Sequence, residues 1–409
     1  MTSERDWFVH VALPGQSEYV VAGRFRVSGT SGDAPLGEFV YGRSYLSRSD
    51  AVEFDPVQLR LTEGVRKTVG FHGLFGAIRD TIPASYGRFI VGSSAESVLD
   101  TEDHLVRGAD EFAGALSFAT GLEPPRPKRC FHSIEDLARL RESVDAKLAR
   151  EDGRENTHRA REPLIESNHK AIVEDDRSLW VAKFPRDNPM WNQARVRHAT
   201  LQLARDCGLD AILSRLERID GEDILLMQRI DREWVGGGYS CRRMISGLTL
   251  LGTDDTPPAK DDWFYLSLAD EVRRASSHPR EDLRELFGRM CFSSAMLNLN
   301  DDLRRPIMFG KGTGWRLAPA SSPVPMPLAD GARGDSAMIC GPCGRSPSRE
   351  SIVGRAGRFL LDRAAAEAIF DRISTTVQSS WYTVMRRCGV SPQDCEVVAR
   401  SIVGGGDCD

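Results

Sequence analysis

Apolar residues recur at helical spacing over the stretch from Leu283 onward. Leu283, Leu286, Phe287, Met290 and Leu297 share one face, so a half-buried helix is expected there. The pattern then breaks. Asn298-Leu299-Asn300-Asp301-Asp302 is a polar cluster, Arg304 and Arg305 follow, and Pro306 cannot continue a helix. An apolar helix that delivers amides and carboxylates to a loop holds reactive groups on a rigid base. A solvated helix end produces the same pattern, because Asn and Asp are common there.

Toward the N-terminus the period shortens to two. Trp7 to Val11, Tyr19 to Val21, Phe25 to Val27, Leu36 to Leu46 and Val57 to Leu61 read as short strands separated by turn signals such as Pro14-Gly15. They predict a small antiparallel sheet or barrel. Gly73 to Asp80 opens a helical segment that stops at Pro83, and Gly121 to Cys130, with Pro124, Pro125 and Pro127, reads as a linker. A charged helix is expected from Ser133 to about Arg150, followed by a polar stretch from Glu151 to Glu162. Strand and helix then alternate. Lys170 to Val173 and Leu179 to Phe184 form a hairpin around Glu174-Asp175-Asp176-Arg177. Val196, Ala199, Leu203 and Cys207 make one face of a helix that ends at Gly208. Ile212 to Arg218 and Ile224 to Met227 join through Asp220-Gly221, a hairpin signal. Beyond Arg232 the chain reads as helical, apart from loops at Asp254 to Asp261 and Ala318 to Ser346. Ser346-Pro347 and Ser391-Pro392 each place a cap before a proline at the first helical position. Ile369, Ile373, Val377, Trp381 and Val384 form a buried stripe, and the glycine-rich tail from Gly404 to Asp409 is expected to be disordered. No internal repeat is present.

Composition narrows the classes. A chain of 409 residues, 41% hydrophobic and 28% charged, can bury cores in two or three domains. The net charge of -5 argues against a protein that coats nucleic acid and against direct nucleic-acid binding. No apolar run reaches the roughly 18 residues that a membrane span requires. Met1 to Asp6 has no apolar signal region, and the 9 cysteines have no regular spacing, which suits a reducing cytoplasm. Cys340-Gly341-Pro342-Cys343 has the spacing of a redox dithiol or half a zinc site, but its Gly-, Pro- and Ser-rich surroundings favour exposed free thiols in a loop. Arg195-Val196-Arg197-His198 reads as a solvated helical face, and the histidines form no pair at ligand spacing.

A strand-rich half followed by a helical half, with a lysine on an inner strand and a carboxylate loop later, is the layout of a kinase fold. Several short pieces in a shared order carry a closer likeness: Tyr41 to Arg48, Phe75 to Asp80 with Gly87-Arg88, Gly114 to Phe118, Trp180 to Pro185, His198 to Ala204, Leu225 to Arg232, Leu248 to Gly252 and Trp315 to Ala320. With these pieces the chain resembles HipA-family serine/threonine kinases, the toxins of type II toxin–antitoxin modules, over nearly its whole length. The resemblance implies an α+β protein with a β-rich N-terminal domain over 1–125. A kinase-like N-lobe over 126–232, a helical C-lobe over 233–403 and a tail over 404–409 complete the expected layout. It also implies ATP as cofactor, with magnesium only if the chain is active. The implied partner is a DNA-binding antitoxin-like protein, or another protein or peptide.

The resemblance also assigns roles residue by residue. Lys183 matches the nucleotide lysine, Ser167, Asn168 and His169 fall in the phosphate loop beside Glu166, and Gln228 falls in the hinge. Other positions depart from the family. Its helix-C acid falls on Arg197. Its catalytic loop, laid without gaps on Asn298 to Arg305, puts Asn300 where the catalytic Asp belongs and Arg305 where a metal-binding Asn belongs. Shifting by one restores a carboxylate at Asp301 but places Pro306 on the metal ligand. The second metal-binding Asp falls on Ser322, with no carboxylate until Asp330. Asn can hold a hydroxyl but cannot take its proton, and Arg cannot bind magnesium. These losses predict a pseudokinase that acts by binding, with the cationic Arg305 facing phosphate in place of a metal. The alternatives are an active kinase with relocated carboxylates and a scaffold that works through its N-terminal domain.

Overall fold

The computed structural model describes residues 2–30, 34–81, 113–126, 131–142, 170–185, 191–254, 256, 259, 261, 263–299, 301, 303–321, 323–327, 336, 338–341 and 344–402. The chain divides into two compact units, one comprising Met1–Trp180, Arg229–Asp254 and Pro306–Trp315, the other comprising Val181–Gln228, Asp255–Arg305 and Arg316–Asp409. Strands and helices are both well represented, so the α+β class implied by the resemblance holds. Among the described residues no helix is long and apolar enough to cross a membrane.

The first unit is built on an antiparallel sheet of β1 (Thr2–Ala12), β2 (Tyr19–Thr30), β3 (Leu36–Tyr41), β4 (Arg66–Thr68) and β5 (Leu116–Ala119), in the order β4-β3-β2-β1-β5. Alternation sends Trp7, Val9, Phe25 and Phe39 into one apolar layer, where they are fully buried. Trp7 stacks on Phe25 with ring centroids 5.7 Å apart, and Phe39 meets Phe54 at 5.2 Å. A bulge between Val9 and His10 shifts the β1–β2 register.

Val57 to Leu61 is not a strand. Asp55 folds it into a turn, its Oδ1 accepting from the amides of Val57 (2.8 Å), Gln58 (2.6 Å) and Leu59 (3.2 Å). A carboxylate that satisfies three successive amides outcompetes a strand ladder that has no neighbour to pair with. Leu59 alone of the alternating apolar positions is buried, and its carbonyl accepts from the Tyr41 hydroxyl at 2.6 Å. Asp55 is itself fully buried, and desolvation pushes its carboxyl up to about 6.

The segment beyond Arg232 also departs from expectation. It forms a hairpin of Arg232–Val235 and Gly238–Cys241 around Gly236 and Gly237, whose φ of 54° and 108° suit glycine. Met244–Ser246 then pairs with Pro306–Lys311. Short strands bounded by glycines read ambiguously from sequence because pairing partners far along the chain decide them. Three buried arginines order this region. Arg232 and Arg229 both reach Asp231 at 2.7 Å. Arg243 donates to the carbonyls of Glu53 (2.7 Å), Gly312 (3.0 Å) and Gly314 (3.3 Å), and lies 4.5 Å from the centre of the Trp315 ring. β6 (Lys170–Asp175) precedes β7 (Ser178–Lys183) across Asp176 and Arg177, both left-handed, in the expected tight turn.

In the second unit β8 (Ser214–Ile219) and β9 (Glu222–Gln228) form the expected hairpin, with Asp220 and Gly221 at φ 50° and 86°. Helix α1 (Gln193–Asp206) buries Val196, Ala199 and Leu203, with Cys207 buried at its end, and stops at Gly208, φ 77°. Helices α2 (Tyr265–Ala275), α3 (Pro279–Ala295), α4 (Arg363–Arg387) and α5 (Pro392–Ile402) supply the helical part. Ser391 caps α5 by accepting from Asp394 N at 3.0 Å. The cap expected at Ser346 lies two residues later: Ser348 accepts from Ser351 N at the start of Arg349–Val353. In α4 Ile369, Ile373, Val377 and Val384 are buried, whereas Trp381 is only half-buried.

Two outcomes follow from these buried charges. Asp55 binds its proton more tightly folded than unfolded, so the native state carries more protons between pH about 4 and about 6, and stability contributed by the neutral acid falls as pH rises through that window. Denaturant titration should show this slope in the wild type and its loss in Asp55→Asn. Arg243→Met leaves three carbonyls without their donor and should cost about 2–4 kcal/mol by the same measurement.

Candidate functional site

Helix α3 carries the site, and its ends are fixed by unlike means. Pro279 takes the first helical position, and Glu281 and Asp282 lie in the first turn, where the helix dipole favours negative charge. Asp282 is buried, accepting from Ser276 Oγ (2.6 Å), Arg316 Nε (3.0 Å) and Leu317 N (2.9 Å). Leu283, Leu286, Phe287 and Met290 bury the expected face. The C-terminal end closes in a Schellman arrangement: Asn298 N donates to Ser293 O at 2.8 Å and Leu297 N to Ser294 O at 3.3 Å. The left-handed position is Leu297, φ 42°, where glycine is usual. Leu297 is buried, and Met326 N donates to its carbonyl at 3.1 Å, so neighbouring contacts hold the turn against its intrinsic cost of about 1–2 kcal/mol.

The turn leads the chain into a chain of hydrogen bonds. Asn298 is buried, its Nδ2 donating to Ser293 Oγ at 3.2 Å and its Oδ1 accepting from Val324 N at 3.4 Å. Ser293 Oγ in turn donates to Asp301 Oδ2 at 3.0 Å. The same carboxylate oxygen accepts a short hydrogen bond from the Tyr265 hydroxyl. Tyr265 opens α2 and is fully buried, with its amide donating to Ile339 O at 3.1 Å. Burial and the adjacent Asp301 carboxylate hold its hydroxyl well above the ordinary tyrosine range, so it remains a donor. Cys340 is also buried, and desolvation pushes its thiol up to about 11. The exposed thiol expected at this position is therefore corrected: Cys340 Sγ faces Met338 O at 3.6 Å, while Pro342 and Cys343 lie outside the described residues.

The other expected site residues divide between described and undescribed positions. Lys183 ends β7, half-buried, before the buried Phe184. Gln228 ends β9, also half-buried, with its amide donating to Leu213 O at 2.9 Å. Arg197 is half-buried on α1. Arg305 is half-buried, and its Nε is buried without a hydrogen-bond partner among the described residues. Ser167, Asn168, His169, Asn300, Asp302, Ser322 and Asp330 lie outside the described residues. Of the positions the resemblance assigns to magnesium, Arg305 does not suit it, since a guanidinium is a cation with donors only.

Sequence reading missed Ser293 and Tyr265. Ser293 carried a weak signal, a hydroxyl in the last turn of the helix that delivers Asp301, eight residues before it. Tyr265 carried none, being separated from Asp301 by 36 residues and by a different helix. Chemically, the arrangement holds one carboxylate between two hydroxyl donors on two helices.

A model of the HipA-like C-terminal domain matches residues 120–381. No curated protein matches the sequence. Among solved structures, the chain aligns with the Shewanella oneidensis MR-1 toxin–antitoxin system of HipA, HipB and its operator DNA at a TM-score of 0.66 and 11% identity, covering 97% of this chain and 95% of that one. The Helicobacter pylori proinflammatory kinase CtkA aligns at a TM-score of 0.36 and 10% identity, over 59% of this chain and 98% of that one. The first alignment shows a HipA-like fold along almost the full chain. With the domain match running over well more than half of its residues, the chain belongs to the HipA family.

Proposed function

We propose that this HipA-like kinase-fold protein has lost phosphoryl transfer, or nearly so, and works by binding a nucleotide-like ligand, a peptide or a partner protein. The observation that carries this reading is the state of Asp301. It is the described carboxylate nearest the catalytic position, and it serves as acceptor for Tyr265 and Ser293, inside the network that closes α3. Arg305 adds to the reading, since it stands where the family places a metal ligand and brings a positive charge instead. Phosphoryl transfer draws most of its catalysis from positioning and charge neutralisation, so losing the acid and the metal ligand together removes its main terms. The HipA-like neighbour was solved with HipB and operator DNA. A DNA-binding antitoxin-like partner is accordingly part of this proposal, alongside other protein partners, in a cytoplasmic setting.

A second reading has one observation in its favour. Two hydroxyls on separate helices orient the Asp301 carboxylate, and a general base needs such orientation. On that reading the chain is an active ATP-dependent serine/threonine kinase toxin with Asp301 as its base.

The readings separate by experiment. For the pseudokinase, thermal-shift titration with ATP gives the same stabilisation in magnesium and in EDTA, about 2.7 kcal/mol at a hundredfold excess over Kd. Radiolabelled ATP then yields no phosphoprotein with either magnesium or manganese; autophosphorylation overturns the reading. Asp301→Ala, which strands two hydroxyl donors, should lower stability by about 1–3 kcal/mol, with Tyr265→Phe lowering it in the same range. Labelling that is present in the wild type and abolished in Asp301→Asn, at unchanged Tm, would instead identify the active kinase.

A further inference from the structure

The first unit presents an edge strand that is exposed and apolar at once. β4 ends the sheet order β4-β3-β2-β1-β5, so among the described residues it pairs on one side with β3 only. Val65 and Val69 flank it at 57% and 63% exposure, and Leu61 and Val57 precede it at 37% and 40%. Four large aliphatic side chains in water within one short segment are unusual for a surface that meets only solvent. Alternation along the strand puts Val65, Lys67 and Val69 on one side.

The segment is anchored just beyond its C-terminal end. After β4 the chain passes through Phe71 and His72, both left-handed at φ 48° and 57°, and Arg79 lies over the Phe71 ring at 4.1 Å from its centre. Gly73 then approaches β3 so closely that a Cβ on Gly37 would lie 1.8 Å from its carbonyl oxygen. These contacts fix the edge before anything binds, which lowers the ordering cost of a partner.

Charge selects the occupant. Arg60, Arg66 and Lys67 are exposed along this segment against Glu63, and Glu38 on β3 reaches Lys67 at 2.7 Å. A second copy pairing antiparallel about Lys67 would set Lys67 against Lys67, a like-charge pair that destabilises a sheet. An extended segment adds a strand through main-chain hydrogen bonds; its apolar residues cover Val65, Val69 and the stem of Lys67 on one face, and its alternate acidic residues meet Arg66 on the other. Edge lysines also serve to prevent aggregation, but that role requires no exposed valines beside them.

We infer that β4 is a docking edge for an extended segment of a partner protein in which apolar and acidic residues alternate. The inference deepens the partner-binding side of the proposed function and is independent of ATP and of Asp301.

The test uses the full chain and a fluorescein-labelled ten-residue peptide of alternating valine and glutamate. Anisotropy at low salt should show saturable binding that weakens about tenfold when glutamates are replaced by lysines, with a comparable loss for Arg66→Glu combined with Lys67→Glu. Val69→Ser alters a solvent-facing side chain and should weaken binding severalfold without changing the melting temperature, which covers the case where the charge-reversed variant fails to fold. Hydrogen exchange should slow at residues 65–69 in the complex. Equal affinity for both peptides, no binding, or protection elsewhere overturns the inference. So does a dimer by light scattering that Val65→Cys traps as a disulfide, because the occupant is then a second copy. ATP-dependent stabilisation is read separately, so failure at this edge leaves the nucleotide-binding reading standing.

Discussion

The loop after α3 depends on two hydroxyls, of Ser293 and Tyr265, converging on one oxygen of the half-buried Asp301 carboxylate. Ser293 can donate to Asp301 while receiving from Asn298, and Asn298 can reach back only because Leu297 adopts a left-handed turn. Tyr265 belongs to another helix, so the same oxygen joins α2 to the end of α3. The Leu297 turn, costly in isolation, is therefore held by what lies on both sides of it.

The first unit meets the same problem with a different balance of charge. Asp231 sits between Arg229 and Arg232, so its negative charge is held far below the usual carboxylate range despite complete burial. Arg243 donates to carbonyls and lies against an indole face, and burial drags its guanidinium down to about 10 against the pull of the Glu53 charge. Asp55 accepts from three amides, and burial moves its carboxyl upward in spite of them. Three buried ionisable groups thus shift as burial and their partners together dictate, and each fixes a loop that carries little apolar surface of its own.

Membership in the HipA family supplies the scaffold of a kinase fold, and the particular residues decide what that scaffold does. The resemblance assigns Lys183 to the nucleotide lysine, Arg197 to the helix-C acid and Arg305 to a metal ligand, and at the last two positions this chain carries a guanidinium instead.

Much of this was legible along the chain. The helical period of Leu283 to Met290, the Asp220-Gly221 turn and the alternation in β1 to β3 are local, and local sterics and burial produce them wherever they occur. The order of short family pieces from Tyr41 to Ala320 pointed to the fold as well. Four features were not legible. Val57 to Leu61 alternates like a strand and folds as a turn, because Asp55 offers its amides a nearer acceptor. The strands beyond Arg232 depend on pairing between Met244–Ser246 and Pro306–Lys311, far apart in sequence. Cys340 is buried in a stretch whose composition signals exposure. Tyr265 joins Asp301 only when two helices pack. The sequence by itself determined the family and the elements whose partners are near in the chain, since both rest on short-range pattern. Tertiary structure decided which polar groups meet, because a hydrogen bond across a long loop leaves no periodic trace in either partner's neighbourhood.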